Sequence, residues 1–232
     1  MTVDLYAMEA DSFEADVNLL IRHTLHVALT NLSASANVEL ASIEGALNRT
    51  RDDQVQYYLV EQHVDVLATG ASQERFLVNM AVVALASRLL HALKLMARTA
   101  EHFRPTTHNY KGKSEFLRLW TEYRERFSVD FKANSAKIAF VEPMVMARNR
   151  IVHAGGEANE WSRNTRESLR IGQEPSLDTS FSDSCPQFVT GEGWNAEVVV
   201  RQVQLDSMCD SAVELVRWLA KELSAQAQVA ST

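Results

Sequence analysis

The stretch from Phe76 to Ala97, FLVNMAVVALASRLLHALKLMA, constrains the fold more than any other part of the chain. It is long and apolar enough for a helix to cross a bilayer, yet Asn79, Arg88, His91 and Lys94 break it. Polar groups at those intervals suit the central helix of a packed bundle better than a membrane span. The surrounding chain of 232 residues is long enough to bury a core around such a helix. Only eight Gly and four Pro are present, which argues for few turns and long regular elements.

The remaining periodicity agrees with a mainly α architecture. Ser12 is placed to cap a helix through Leu32, with Phe13, Val17, Leu20, Thr24 and Val27 at three- and four-residue steps. A second helical region runs from Asn37 to Thr69, with a break near Arg51-Asp52-Asp53. Gly70 reads as its stop and Ser72 as the cap of the long helix that ends near Phe103. Arg104 to Lys113 is a loop by composition, and Ser114 opens an amphipathic helix carrying Phe116, Leu117, Trp120, Tyr123 and Phe127. Asn134 or Ser135 opens the next helix. Pro143 either kinks it or moves its true start to about Glu142. After Gly156 the texture turns polar and turn-rich. Ala196 to Leu205 alternates and is rich in valine, which predicts a strand paired with Ser168 to Ile171. Asp206 then caps a last helix through Leu223, followed by a frayed tail. The expectation is one domain over 1–232, a helical bundle with a loop and β-hairpin insertion over 157–205.

Composition narrows the function. Cys185 and Cys209 form no CxxC pair, so neither a disulfide framework nor a zinc site is expected. No basic leader precedes an apolar block, and the expected address is the cytoplasm, with no membrane partner. None of the seven histidines has a glutamate three residues before it and no HExxH occurs, so no metal is expected. The net charge of −7 argues against general coating of nucleic acid. From Arg98 to Arg150, however, eleven basic residues face six acidic ones, so this block is +5 and the remainder −12. A local basic surface of that kind can hold a phosphate backbone. The competing reading is chance fluctuation of charge along helix faces.

Within that block, MARNRIVHAGG (Met146 to Gly156) places Arg148, Asn149, Arg150 and His153 on a helix that otherwise looks built for burial. Asn149 and His153 are four apart and share a face, about 40° from each other. Arg148 and His153 are about 140° apart and roughly 7.5 Å along the axis, too far for one helix to close both on a small group. Two copies across a two-fold axis could lend both residues to one cleft. Histidine exchanges protons near neutrality, and arginine offers a charged planar fork to phosphate. Together they suit attack of an RNA 2′-hydroxyl on its own phosphodiester, with no metal and no cofactor. On spacing alone, most such pairs are a surface arginine and a satisfied histidine that complements the helix dipole.

An all-helical chain whose late helix carries Arg148-Asn149, three residues and His153 resembles the HEPN superfamily, the higher eukaryotes and prokaryotes nucleotide-binding domain. The upstream acid Glu142 and the glycine pair after the histidine look like a branch common among prokaryotic defence and toxin proteins. The match covers some fifteen residues. The resemblance implies a homodimeric, metal-independent endoribonuclease with Arg148 and His153 catalytic and Asn149 positioning. It also implies RNA as substrate, and an antitoxin or another defence-system protein as a partner. Arg150, Lys111, Lys113 and Glu142 complete the expected RNA-contacting set, the lysines in a loop with Tyr110 and His108 that suits splayed bases. The chain departs from regulated members of the family at Gly155, where they carry a nucleotide-accepting tyrosine. The alternative is a catalytically silent helical module that binds a nucleotide or protein through the same groove.

Overall fold

The computed structural model describes residues 4–103, 115–153, 188–190 and 197–230. Helix α1, Leu5–Asp16, continues through a π-helical segment, Val17–His23, into α2, Thr24–Leu47. The start is set by Asp4, whose carboxylate accepts hydrogen bonds from the backbone of Tyr6 and Ala7, and not by Ser12, which lies inside the helix. The π segment explains why the face predicted from three- and four-residue steps is one residue off. Phe13, Val17, Ile21 and Leu25 are buried, whereas Leu20, Thr24 and Val27 are exposed. Successive steps of four drift about 40° each round an α-helix. A stretch of wider π turns cancels that drift and keeps the four on one line.

Turn residues 48–52 reverse the chain, and Asp52 caps α3, Asp53–Phe103, by accepting from the backbone of Gln54 and Val55. This helix runs through Gly70 without a stop. Its second half is the centre of the molecule, with Val78, Val82, Leu85, Leu89, Leu93 and Met96 buried. One of the polar breaks, Arg88, has an assignment. Arg88 binds Glu9 at 2.9 Å and Asp16 at 2.6 Å and lies over the Phe13 ring, so it fastens α3 to α1. α3 is long and apolar enough to cross a membrane by length and composition, and 39% of that stretch is buried inside the protein.

Helix α4, Glu115–Glu125, is joined to the centre by the buried Tyr123 hydroxyl, which donates to the Leu93 carbonyl at 2.7 Å. Burial, then the neighbouring Glu122 charge, holds that phenol well above its ordinary pKa. Phe116, Trp120, Phe131 and Trp218 form an aromatic stack that continues across a 3-10 turn, Phe131–Asn134. Trp120, Tyr123 and Phe127 are core residues, as their spacing predicts. Helix α5, Val141–His153, starts beside Glu142 and puts Pro143 in its first turn, where a missing N–H costs nothing. It packs on α3 and on the last helix, α6, Gln202–Ala230.

The expected long strand is corrected. Among the described residues only Val189–Thr190 (β1) and Glu197–Val198 (β2) pair, antiparallel, with Val189 opposite Val198 and Thr190 opposite Glu197. Gln202 to Leu205 belongs to α6, because the Gln204 side chain accepts from the Arg201 backbone and closes half of a capping box there. Phe188, Val198 and Val200 are buried, and Phe188 meets Phe140 edge to face. Ser168 to Ile171, the expected partner strand, lies outside the described residues. The tail is helical to Ala230.

Candidate active site on α5

The sequence of α5 divides its faces. Met144, Val145, Met146 and Ala147 are buried, and Ile151 packs against the core. Arg148 and Asn149 are half-buried and Val152 is exposed. These three positions lie within about 100° of arc, on the side away from Ala147. Position 153, the last of the helix, follows Asn149 by four residues and falls on the same side.

Arg148 Nη1 donates to Asn149 Oδ1 at 3.0 Å. This contact holds the guanidinium beside the Asn149 amide. Among the described residues the guanidinium, which carries five donors, makes no other hydrogen bond. Glu142 is half-buried at the opposite end of α5, about two turns from Arg148. It therefore does not join the Arg148–Asn149 pair within one chain.

Arg150 is the clear correction among the expected RNA contacts. It lies on the core side of α5 and is 4% exposed, so its guanidinium is not presented to a strand. Its place follows from the helix: two residues from Arg148 is about 200° round. Lys111 and Lys113 lie outside the described residues, as do Tyr110, His108 and Gly155.

A charged cleft that no local motif signals lies between α1, the π segment, the turn before α5 and α6. Glu14, Arg22, Lys137, Val213 and Glu214 help line about 360 Å³. Arg22 pairs with Asp210, Arg217 with Glu14, and Lys137 with Glu214 at 3.1 Å. Its residues come from segments nearly 200 positions apart, which is why spacing does not reveal it. The opposite charges are matched, so the cleft is a clamp between the chain's two ends rather than an anion trap. Cys209 is buried nearby, and burial pushes its thiol up to about 11. Among the described residues no group of three or more His, Cys, Asp or Glu could hold a metal ion.

Searches against family models, curated proteins and solved structures found no match for the chain.

Proposed function

We propose that the chain is a cytoplasmic, metal-independent endoribonuclease of HEPN-like fold, acting as a homodimer with a composite site and serving as a toxin or antiviral effector. One observation carries the reading. Arg148 and Asn149 are half-buried on α5 and bonded to each other, and position 153 lies one turn on from Asn149.

In this reading one histidine takes the proton of the RNA 2′-hydroxyl as its oxygen attacks the adjacent phosphorus. The second copy's histidine, as imidazolium, gives a proton to the departing 5′-oxygen. The bond between phosphorus and that oxygen breaks, leaving a 2′,3′-cyclic phosphate and a 5′-hydroxyl. The guanidinium of Arg148 stabilises charge on the non-bridging oxygens, and Asn149 sets its direction. An antitoxin or another defence-system protein would control the exposed face.

The test is incubation of purified protein with end-labelled single-stranded RNAs in excess chelator, alongside Arg148→Ala and His153→Ala. Cleavage that leaves cyclic phosphate ends and falls by at least 100-fold in both variants supports the enzyme. A folded wild-type protein that cuts none of a varied RNA set would instead favour the silent binding module.

A further inference from the structure

The solvent side of α3 changes character along its length. The arm that its first half forms with α2, residues 33–76, holds seven acids against three arginines, a net −4. Beyond the arm no acid occurs between Glu74 and Glu101, although this stretch carries Arg88, His91, Lys94 and Arg98. Arg88 is paired with Glu9 and Asp16. The other three fall on the side opposite the buried Leu85, Leu89, Leu93 and Met96. His91 and Arg98 are exposed there, and Lys94 is half-buried. They step about 4.5 and 6 Å along the axis within an arc of about 60°. The same arc runs back through exposed Ser87 to Met80 and Phe76, which are 48% and 63% exposed.

We infer that this line is a track for single-stranded RNA, with phosphates over His91, Lys94 and Arg98 and a base on the Phe76 ring. The inference rests on the ribonuclease reading above and names where its substrate is held away from the Arg148–Asn149 pair. The chemistry is complementary at both ends. Guanidinium, ammonium and imidazole N–H groups donate to phosphate oxygens, and an exposed aromatic ring offers any base a stacking surface. Between the ends the line is low. Ala84 and Ser87 are small and exposed, and the Ser87 hydroxyl donates back to the Val83 carbonyl at 2.7 Å. A strand can therefore pass along the roughly 33 Å from Arg98 to Phe76 without a bulky side chain in its way.

Shape and charge favour a strand over an anionic bilayer. The line is narrow, and its cationic and apolar groups sit at opposite ends. An interfacial helix instead carries a broad apolar side flanked by cations along its length. A flat anionic surface would also meet the acid-rich arm, which begins where Phe76 lies, and would be repelled by it. A strand needs only the line itself, and the net −4 of the arm turns it away beyond Phe76. A local track of this kind is compatible with a chain whose overall charge of −7 disfavours general coating of nucleic acid.

The test is fluorescence anisotropy of a labelled single-stranded oligoribonucleotide, titrated with the whole chain carrying His153→Ala in excess chelator. Cleavage then does not consume the probe. Adding R98E should weaken binding by about tenfold or more, and R98A should lower the slope of log affinity against log salt by about 0.7. F76A should weaken binding by about fivefold or more through lost stacking. R51E makes the same charge change on the arm and should leave affinity within about twofold. Circular dichroism should show unchanged helicity in each variant, since all three positions are exposed. A His153→Ala chain that does not bind RNA overturns the inference, as does equal binding by R98E and F76A. Flotation with phosphatidylserine vesicles in place of RNA binding overturns it too. Binding and cleavage fail separately: wild-type cleavage with R98E and F76A binding normally removes the track and leaves the enzyme. Binding lost in R98E without any wild-type cleavage does the reverse.

Discussion

The two halves of α3 carry the same stripe and meet different fates. From Val78 onward its apolar residues are buried among α1, α5 and α6, with Arg88 tied to Glu9 and Asp16. From Tyr57 to Ala71 the same angular line faces out, with only α2 against a neighbouring face. Periodicity thus specifies which side of a helix is to be covered, while chain topology decides whether the same molecule supplies the cover. Where it does, a polar break in the pattern becomes an internal ion pair. Where it does not, the line stays exposed.

The largest expected contrast is in the apolar residues. Leu89→Ala, at a fully buried position, should cost about 2–5 kcal/mol in urea denaturation, whereas Leu67→Ala should cost under about 0.5 kcal/mol in the monomer. Comparable losses at both positions in monomeric protein would erase the distinction between core and arm. Next is Arg88→Met, which strands Glu9 and Asp16 against α3 and should cost about 1–3 kcal/mol. Losing less than 0.5 kcal/mol, approximately a surface value, would mean that the ion pairs do not fasten α1 to the centre.

The bundle should also be the pH-sensitive part. Burial raises the Cys209 thiol to about 11 and the Tyr123 phenol above its usual value, so the folded state keeps protons that the unfolded chain releases. Stability from these groups is present below about pH 9 and is lost as pH climbs through the folded values. Melting temperature should therefore fall between pH 9 and 11, and Cys209→Ala should flatten part of that fall. An unchanged slope in the variant would remove the thiol from the explanation. The smallest effect belongs to the arm. A side-chain carbon at Gly70 would meet nothing within 4 Å, so Gly70→Ala should stabilise the helix by about 0.5–1 kcal/mol. Destabilisation there, read by thermal melting, would show a contact that the fold does not contain.

Much of this was legible in the sequence, for identifiable reasons. The central helix, the aromatic core of α4 and the start of α5 near Glu142 all follow from periodicity and proline chemistry. The uncovered side of α5 follows from two residues, Arg148 and Asn149, set in an apolar helix. The misreadings share one cause, which is that local signals were outvoted by long-range packing. Gly70 does not stop α3 because both flanks continue the stripe. The π segment moved the buried face of α1 and α2 by one residue, from Leu20 and Thr24 to Ile21 and Leu25. The strand predicted over Ala196 to Leu205 survives at Glu197–Val198 and stops where the Arg201–Gln204 cap starts α6. Arg150 looked like a third basic contact, yet a step of two residues turns it into the core.

The central claim is that two chains meet to build one site. It is tested most directly by the rate of chelator-resistant RNA cleavage per chain, followed as protein is diluted through its monomer–dimer equilibrium. The account predicts a rate that is steady while dimers dominate and falls in proportion to concentration once monomers do. A rate per chain that stays constant into the monomer range, or cleavage undiminished by Arg148→Ala and His153→Ala, would contradict it.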